Sequence, residues 1–192
     1  MNPSVPFFQQ GSDRYPELFK SLVSYLQQGE LPESLQKIYY VPIEDILPDA
    51  EYQAIDYSIL NLFSRGPLLT LLGTPFSHYY RIQRRKRHKS IPKTWQYIHK
   101  YYRLFRSMKQ NRFSPPDRQL KAYPWIFVSD TIQLRLDGHH RAAIYRFLGE
   151  TRIPAMVLTP QQLLTLPLPE KLRQQLAGHA SPSRLEYQPY PS

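Results

Sequence analysis

The stretch that decides the fold is residues 125–158, W-I-F-V-S-D-T-I-Q-L-R-L-D-G-H-H-R-A-A-I-Y-R-F-L-G-E-T-R-I-P-A-M-V-L. Two short apolar runs, Trp125 to Val128 and Leu134 to Leu136, are separated by turn-forming residues, a pattern that predicts a hairpin or meander. From Arg141 the apolar residues follow helical spacing, and Gly149 is placed as the helix stop. Residues 153–158 predict a third strand.

The turn between the second strand and this helix has the features of a phosphate site. A strand that turns through a glycine into a helix leaves backbone N–H groups and the positive end of the helix dipole at the turn, which favours an anion. Arg141 in the first turn can add a two-pronged contact to a phosphate. The site would consist of Gly138, the amides that follow it, His139, His140 and Arg141. The alternative is a surface turn whose polar residues cap a helix.

The motif also resembles a known superfamily. D-G-H-H-R-A-A at 137–143, followed by Leu148-Gly149 and Ile153-Pro154, is similar to the signature of ParB/sulfiredoxin-like proteins, and most of all to their free-serine kinases. In that superfamily the loop and the helix N-terminus hold the phosphates of a nucleotide. The resemblance therefore implies a cofactor, ATP or another nucleotide with Mg²⁺, and a small-molecule kinase that phosphorylates a hydroxyl compound such as an amino acid or a sugar.

A second point of resemblance is V-P-I-E-D-I-L-P at 41–48. In the serine-kinase branch, an acidic residue just after this proline takes the proton from the acceptor hydroxyl. The resemblance points to Asp49 or Glu51 as this catalytic base, with Glu44 and Asp45 as weaker options. A carboxylate suits the role, because a kinase base mainly positions the acceptor and accepts its proton late. The alternative is an acidic first helical turn that complements the helix dipole.

The motif differs from those of two other branches of the superfamily, which makes the activities of those branches less expected. His139 stands where sulfiredoxin needs a cysteine, which excludes sulfinic-acid repair. G-H-H-R replaces the G-E-R-R type motif of partitioning proteins, and the residues after Leu158 are too few and too rich in proline for a helix-turn-helix domain.

Individual roles follow from the motif. We expect Gly138 to permit close backbone approach, and His140 and Arg141 to hold phosphate oxygens. Asp137 has two interpretations that remain open: it helps to place Mg²⁺, directly or through water, or it is a structural cap.

The densest positive charge lies at residues 81–89, within a predicted basic insertion spanning 79–93. Our functional interpretation is a lid in which Arg81, Arg84 and Arg85 contact the substrate. The alternatives are a polyanion-binding patch and a solvated helix face. Just before this insertion, Leu68 to Leu72 fits either a buried strand or a helical turn, and periodicity does not decide between them.

Composition bounds the remaining possibilities. The chain has 192 residues, no cysteine and a formal net charge of +10, which excludes disulfides and favours acidic partners such as nucleotides. Nucleic acid is a less favoured partner. The sequence lacks a long apolar run and a signal-peptide pattern, which predicts a cytoplasmic protein with no membrane partner.

The predicted fold class is α+β, a small mixed sheet of the Ile38, Trp125, Leu134 and Ile153 strands with helices packed against it. The predicted organisation is an N-terminal leader and helix (1–36), a nucleotide-binding domain (37–158), and a C-terminal helix followed by a disordered tail (159–192). Within the domain, residues 92–110 predict a long amphipathic helix. The function that competes with the kinase is a non-catalytic or nucleotide-switched module that binds nucleic acid or a protein through the basic insertion.

Overall fold

The fold is α+β, as predicted, with helices on both faces of one small mixed sheet. The computed structural model describes residues 16–28, 32, 35, 37–46, 50–85, 88–111, 124–129, 133–179 and 187–190. The strands are β1 (Ile38–Pro42), β2 (Trp125–Val128), β3 (Gln133–Asp137), β4 (Arg152–Leu158) and β5 (Gln188–Pro189). Their order in the sheet is β3-β2-β4-β1-β5, and only β2 and β4 run parallel.

The helices follow the chain in a simple order. They are α1 (Pro16–Gln28), α2 (Ile43–Ile46), α3 (Ala50–Ser64), α4 (Pro67–Gly73), α5 (His78–Arg85), α6 (Ile91–Asn111), α7 (His139–Phe147), α8 (Pro160–Leu164) and α9 (Glu170–Ala177). A 3₁₀ turn, Thr74–Phe76, joins α4 to α5. The long helix predicted at 92–110 is therefore confirmed as α6.

Strand alternation divides the core into two layers. Successive side chains of a strand point to opposite faces of the sheet. Ile126, Ile153 and Val157 face a cluster formed with α3, α5, α6 and α7. Phe127 and Leu158 face a second cluster, formed with α1, α8 and α9. The helix predicted within residues 1–36 corresponds to α1, which belongs to this second layer.

The predicted hairpin and the strand after α7 are confirmed. Strand β2 pairs antiparallel with β3, and β4 pairs parallel with β2, so the α7 crossover connects the hairpin to the centre of the sheet. The predicted start of the helix at Arg141 is wrong, because α7 begins at His139. Both histidines therefore lie in the first helical turn, and their rings are in contact. Gly149, at φ 92°, ends the helix region as predicted.

The C-terminal part is more ordered than predicted. Thr159 caps α8 through a capping box with Gln162, and Pro160 is its first residue. Residues 187–190 return to the sheet, where β5 pairs with β1. The prediction of a disordered tail is wrong for these residues, because β1 offers an open edge and Tyr190 packs its ring against Tyr40, with centroids 4.8 Å apart. Residues 180–186 and 191–192 lie outside the described residues.

The Leu68 to Leu72 segment is helical, which resolves the open alternative. It forms most of α4, and its leucines are exposed rather than buried. Residues 1–15, where the N-terminal leader was predicted, and Asp49 lie outside the described residues.

Candidate functional site

The turn that starts α7 is built around Gly138. Its φ is 96°, in the left-handed region that favours glycine. A Cβ at this position would lie 2.5 Å from Cα of Pro124, the residue just before β2. The glycine is therefore required by packing against the backbone of Pro124 as well as by its own conformation.

The Asp137 carboxylate accepts hydrogen bonds from two donors of this turn. Its Oδ1 accepts a hydrogen bond from the Gly138 amide at 2.6 Å, and its Oδ2 accepts one from Nη2 of Arg141 at 3.0 Å. The carboxylate side chain is 61% exposed, whereas the Arg141 side chain is only 14% exposed. An exposed carboxylate thus accepts hydrogen bonds from a backbone amide and a guanidinium at the N-terminus of a helix.

Arg141 is a largely buried cation. Burial lowers its pKa from the usual value, and the neighbouring Asp137 carboxylate and Tyr145 act in the opposite direction. An arginine remains charged under these conditions, because its ordinary pKa lies far above neutrality. The turn therefore carries a fixed positive charge next to the positive end of the α7 dipole.

The His140 side chain packs against the helical layer. Its Nδ1 lies 3.3 Å from Oδ1 of Asp56, a carboxylate of α3 that is only 3% exposed. Its Nε2 lies 3.4 Å from the hydroxyl of Tyr79, on α5. Both ring nitrogens thus have protein neighbours, and the ring would have to leave one of them to contact a phosphate, as we predicted for His140.

Two rings contact this histidine. The Tyr101 ring, from α6, lies 4.2 Å from that of His140, and the His139 ring lies 3.9 Å from it, measured between centroids. The Tyr101 hydroxyl is buried close to the Asp56 carboxylate. Burial, followed by the negative charge of Asp56, raises the pKa of Tyr101 well above its ordinary value. The cluster therefore joins α3, α5, α6 and α7 around the His140 ring.

Comparisons of the chain with protein-family models, curated proteins and solved structures find no match. Within the described ranges, no three His, Asp or Glu side chains come together as a metal site would require. In the same part of the chain, no helix is long and apolar enough to cross a membrane.

The predicted catalytic carboxylates are only partly placed. Asp49 lies outside the described residues, and Glu51 is in the first turn of α3, with only its backbone described. Because a helix rises 1.5 Å per residue, Glu51 lies about 7.5 Å along the axis from Asp56. Of the weaker options, Glu44 is exposed, and Asp45 accepts a hydrogen bond from the Tyr187 hydroxyl at 2.9 Å.

The three predicted lid arginines all belong to α5. The buried face of α5 carries Tyr79 and Gln83, whereas Arg81 and Arg85 are exposed. At 100° per residue, these two arginines point away from Tyr79, and therefore away from the His140 cluster. Arg84 donates from Nη1 to the Lys89 carbonyl, which closes the loop between α5 and α6. The structure does not bring Arg81 and Arg85 to the 137–141 turn.

Three residues of the cluster were missed by the sequence analysis, namely Asp56, Tyr79 and Tyr101. A signal for Asp56 was present: Asp56, Ile59, Leu60 and Phe63 are spaced i, i+3, i+4 and i+7, so a carboxylate stands on the apolar face of a helix. A charged residue in such a position needs a partner when it is buried. Its partner, His140, is distant in sequence and could not be identified from spacing.

Proposed function

We propose that this protein binds a nucleotide at residues 137–141 and transfers its terminal phosphoryl group to a small hydroxyl compound, an amino acid or a sugar. The observation that carries the proposal is the position of Asp137. Its carboxylate is an oxyanion held by a helix N-terminal amide and a guanidinium. Both kinds of donor commonly bind phosphate oxygens in proteins.

The surroundings of the turn support a phosphate rather than a neutral ligand. Arg141 supplies a charge, and the dipole of α7 adds a partial positive charge. Gly138, as the N-cap residue, has no side chain that could cover the first-turn amides. A phosphate that enters the site would compete with the exposed Asp137 carboxylate for Arg141, and would bring more charge and more acceptor oxygens.

His140 is assigned a positioning role in this proposal. Asp56 and Tyr79 lie beside its two ring nitrogens and would restrain the ring, which belongs to the first turn of α7. Precise placement of donors is the main contribution of a protein to phosphoryl transfer. In this proposal, the cluster around His140 holds the N-terminus of α7 in the position that phosphate binding requires.

The reaction itself involves one bond made and one bond broken. The hydroxyl oxygen of the acceptor attacks the terminal phosphorus, the bond to the bridging oxygen breaks, and the shortened nucleotide leaves with that oxygen. Asp49 or Glu51 accepts the hydroxyl proton. Glu51 lies in the first turn of α3, the helix that carries Asp56 and packs against α7.

Magnesium would be held chiefly by the nucleotide. Mg²⁺ in kinases is bound by one or two carboxylates together with substrate phosphates and water, and it neutralises charge on the transferred group. Asp137, with its exposed carboxylate, could be one such ligand. The described residues hold no group of three side chains that would bind the ion without the nucleotide.

Calorimetric titration with ATP, ADP and CTP, each with Mg²⁺, tests the proposal. Arg141→Ala should abolish binding of the preferred nucleotide. Arg146→Ala removes the same charge from an exposed position of the same helix and should leave the affinity within about twofold, because exposed charges contribute little. If the wild-type protein binds none of the three nucleotides, the kinase proposal is wrong. If one binds, acceptor hydroxyl compounds are screened with the wild type, Asp49→Asn and Glu51→Gln.

A second candidate is the polyanion-binding module. The observation that favours it is a segment from Tyr57 to Pro116 that contains no Asp or Glu and more than half of the chain's 25 Lys and Arg residues. Binding of single- or double-stranded DNA or RNA that weakens steeply with salt and survives Arg141→Ala would support this candidate over the kinase.

A further inference from the structure

Helix α4 is built with its polar side inward. Thr70, Thr74 and Ser77 are buried along α4 and the 3₁₀ turn. The Thr70 hydroxyl donates to the carbonyls of Leu62, at 3.0 Å, and Gly66, at 2.8 Å. Gly73 lies against the Leu62 side chain, where a Cβ would approach to 2.6 Å. Small and hydroxyl-bearing residues thus fasten this segment to α3.

The outward side of the same segment is apolar. Leu68 is 67% exposed and Phe76 is 80% exposed, and the leucines between them are exposed to a similar degree. At 100° per residue, the four leucines of α4 cover about 160° of the helix circumference, opposite Thr70. We call this surface the leucine tip; it consists of Leu68, Leu69, Leu71, Leu72 and Phe76. Contiguous exposed apolar residues of this kind mark an interaction site.

The charges next to the leucine tip are all positive. No charged residue lies between Arg65 and His78, and the tip is bracketed by exposed Arg65 on one side and by exposed Arg81 and Arg85 on the other. The nearest acidic residues in the sequence are Asp56 and Asp117. Asp56 lies within the described residues and is buried against His140. The occupant of this surface must therefore accept apolar side chains and carry negative charge.

We propose that the leucine tip and its flanking arginines dock the protein onto an anionic lipid surface. Leucine and phenylalanine side chains enter the boundary between headgroups and acyl chains, and the arginines contact lipid phosphates. This is a surface contact and needs no membrane-spanning helix. It differs from the expectation of no membrane partner, which rested on the lack of a long apolar run.

The shape and chemistry of the tip favour lipid over other polyanions. Aliphatic side chains contribute nothing to phosphate contacts and do not stack on bases as aromatic rings do, so nucleic acid leaves the leucines unexplained. A second copy of this chain would bring the same positive charges face to face, which opposes self-association. A helix whose exposed leucines cover nearly half of its circumference fits a deformable lipid interface.

The test is co-sedimentation of the full chain with vesicles of phosphatidylcholine, and of phosphatidylcholine mixed with phosphatidylglycerol at a ~2:1 ratio. We expect binding to the anionic vesicles and little to the neutral ones. Leu68→Ser/Leu72→Ser, and separately Phe76→Ser, should weaken the partition by about tenfold or more, because exposed apolar groups lose their insertion. Ile91→Ser is the matched control, since Ile91 is 52% exposed outside the tip, and it should bind as the wild type does.

Three outcomes would overturn the proposal. These are no binding to anionic vesicles, binding that the Leu68→Ser/Leu72→Ser and Phe76→Ser variants leave unchanged, and self-association of the wild type that those variants abolish. The second would show adsorption by charge alone, and the third would identify the occupant as another copy of the chain. Circular dichroism of each variant checks the fold, which surface substitutions should leave intact.

Discussion

Gly138 is under two constraints, and its substitution should be unusually costly. We predict that Gly138→Ala destabilises the protein by roughly 2–4 kcal/mol, because a left-handed alanine is strained and its Cβ would overlap the Pro124 backbone. Gly149 is the matched control. It has φ 92°, but no atom lies within 4 Å of the place that a Cβ would take, so Gly149→Ala should cost only the strain, about 1 kcal/mol. Urea unfolding of both variants measures the difference, and equal costs would contradict the role of Pro124.

Tyr101 gives a pH dependence that can be assigned. Its pKa is raised in the folded protein above the ordinary value of 10.0, so the folded state retains the proton at a pH where the unfolded state has lost it. The free energy of unfolding should therefore fall as the pH rises above about 10, by roughly 1 kcal/mol per pH unit from this group.

Tyr101→Phe should remove this part of the alkaline dependence. Tyr97→Phe, which removes an exposed hydroxyl from the same helix, should retain it. Thermal unfolding from pH 8 to 11 compares the three proteins, and parallel curves would refute the assignment.

Asp137 separates two interpretations of the candidate site. If its carboxylate only takes the place of phosphate on Arg141, Asp137→Asn should strengthen binding of inorganic phosphate or nucleotide without Mg²⁺ several-fold, because the competing charge is gone. If it helps to place Mg²⁺, the same variant should lose the increase in nucleotide affinity that Mg²⁺ gives the wild type. Titrations with and without Mg²⁺ distinguish the two, and an unchanged affinity in both would leave Asp137 a helix cap.

At this scale the sequence predicted the turn but not its interior partners. Gly138, Arg141 and the two histidines were predicted as site residues because they form one contiguous motif. The side chains that fix His140 come from α3, α5 and α6, and their convergence depends on how those helices pack. Tertiary contacts of this kind have no local pattern from which to predict them.

Helix α4 depends on its buried hydroxyl. Thr70→Val keeps the shape of the side chain but removes the donor that two carbonyls accept. We predict a loss of about 1 kcal/mol, since both carbonyls retain other partners. Thr165→Val removes a comparable but exposed hydrogen bond at the end of α8 and should change stability by less than about 0.5 kcal/mol. Denaturant midpoints of both variants test this, and a larger effect at Thr165 would refute the anchoring role of Thr70.

Among the elements, those with a clear hydrophobic period were predicted correctly. Strand β4 alternates between two buried faces, and α6 repeats its apolar residues at helical spacing. Helix α4 could not be assigned from its pattern, because its leucines face outward and its buried contacts are made by Thr70 and Gly73. A periodicity argument assumes that apolar residues point to the core, and α4 does not obey that assumption.

For the whole molecule, the return of the chain to β1 closes one edge of the sheet. The Tyr187 hydroxyl donates to Asp45, and the Tyr190 amide donates to the Ile38 carbonyl. Deleting residues 187–192 should lower the free energy of unfolding by roughly 1–3 kcal/mol, because these contacts and the ring contact with Tyr40 are lost. A chain shortened by residues 191–192 alone is the control. Equal stability of the two truncated proteins would show that β5 contributes nothing.

The overall architecture was predicted more fully than its edges. The pairing of β2 with β3 and of β4 with β2 follows from the hairpin, the crossover helix and the strand after it, all within residues 125–158. Strand β5 was missed because a two-residue strand in a proline-rich segment has no period of its own. It is ordered by the partner that it finds in β1.

The contact between Gly138 and Pro124 also links the candidate phosphate site to an optical signal. Pro124 directly precedes Trp125, whose side chain is almost fully buried, and the Pro124 carbonyl accepts a hydrogen bond from the Met156 amide. Any shift of the turn on ligand binding is therefore transmitted to the surroundings of this indole. In a Trp95→Phe background, the intrinsic fluorescence of Trp125 would report occupancy of the turn without any attached dye.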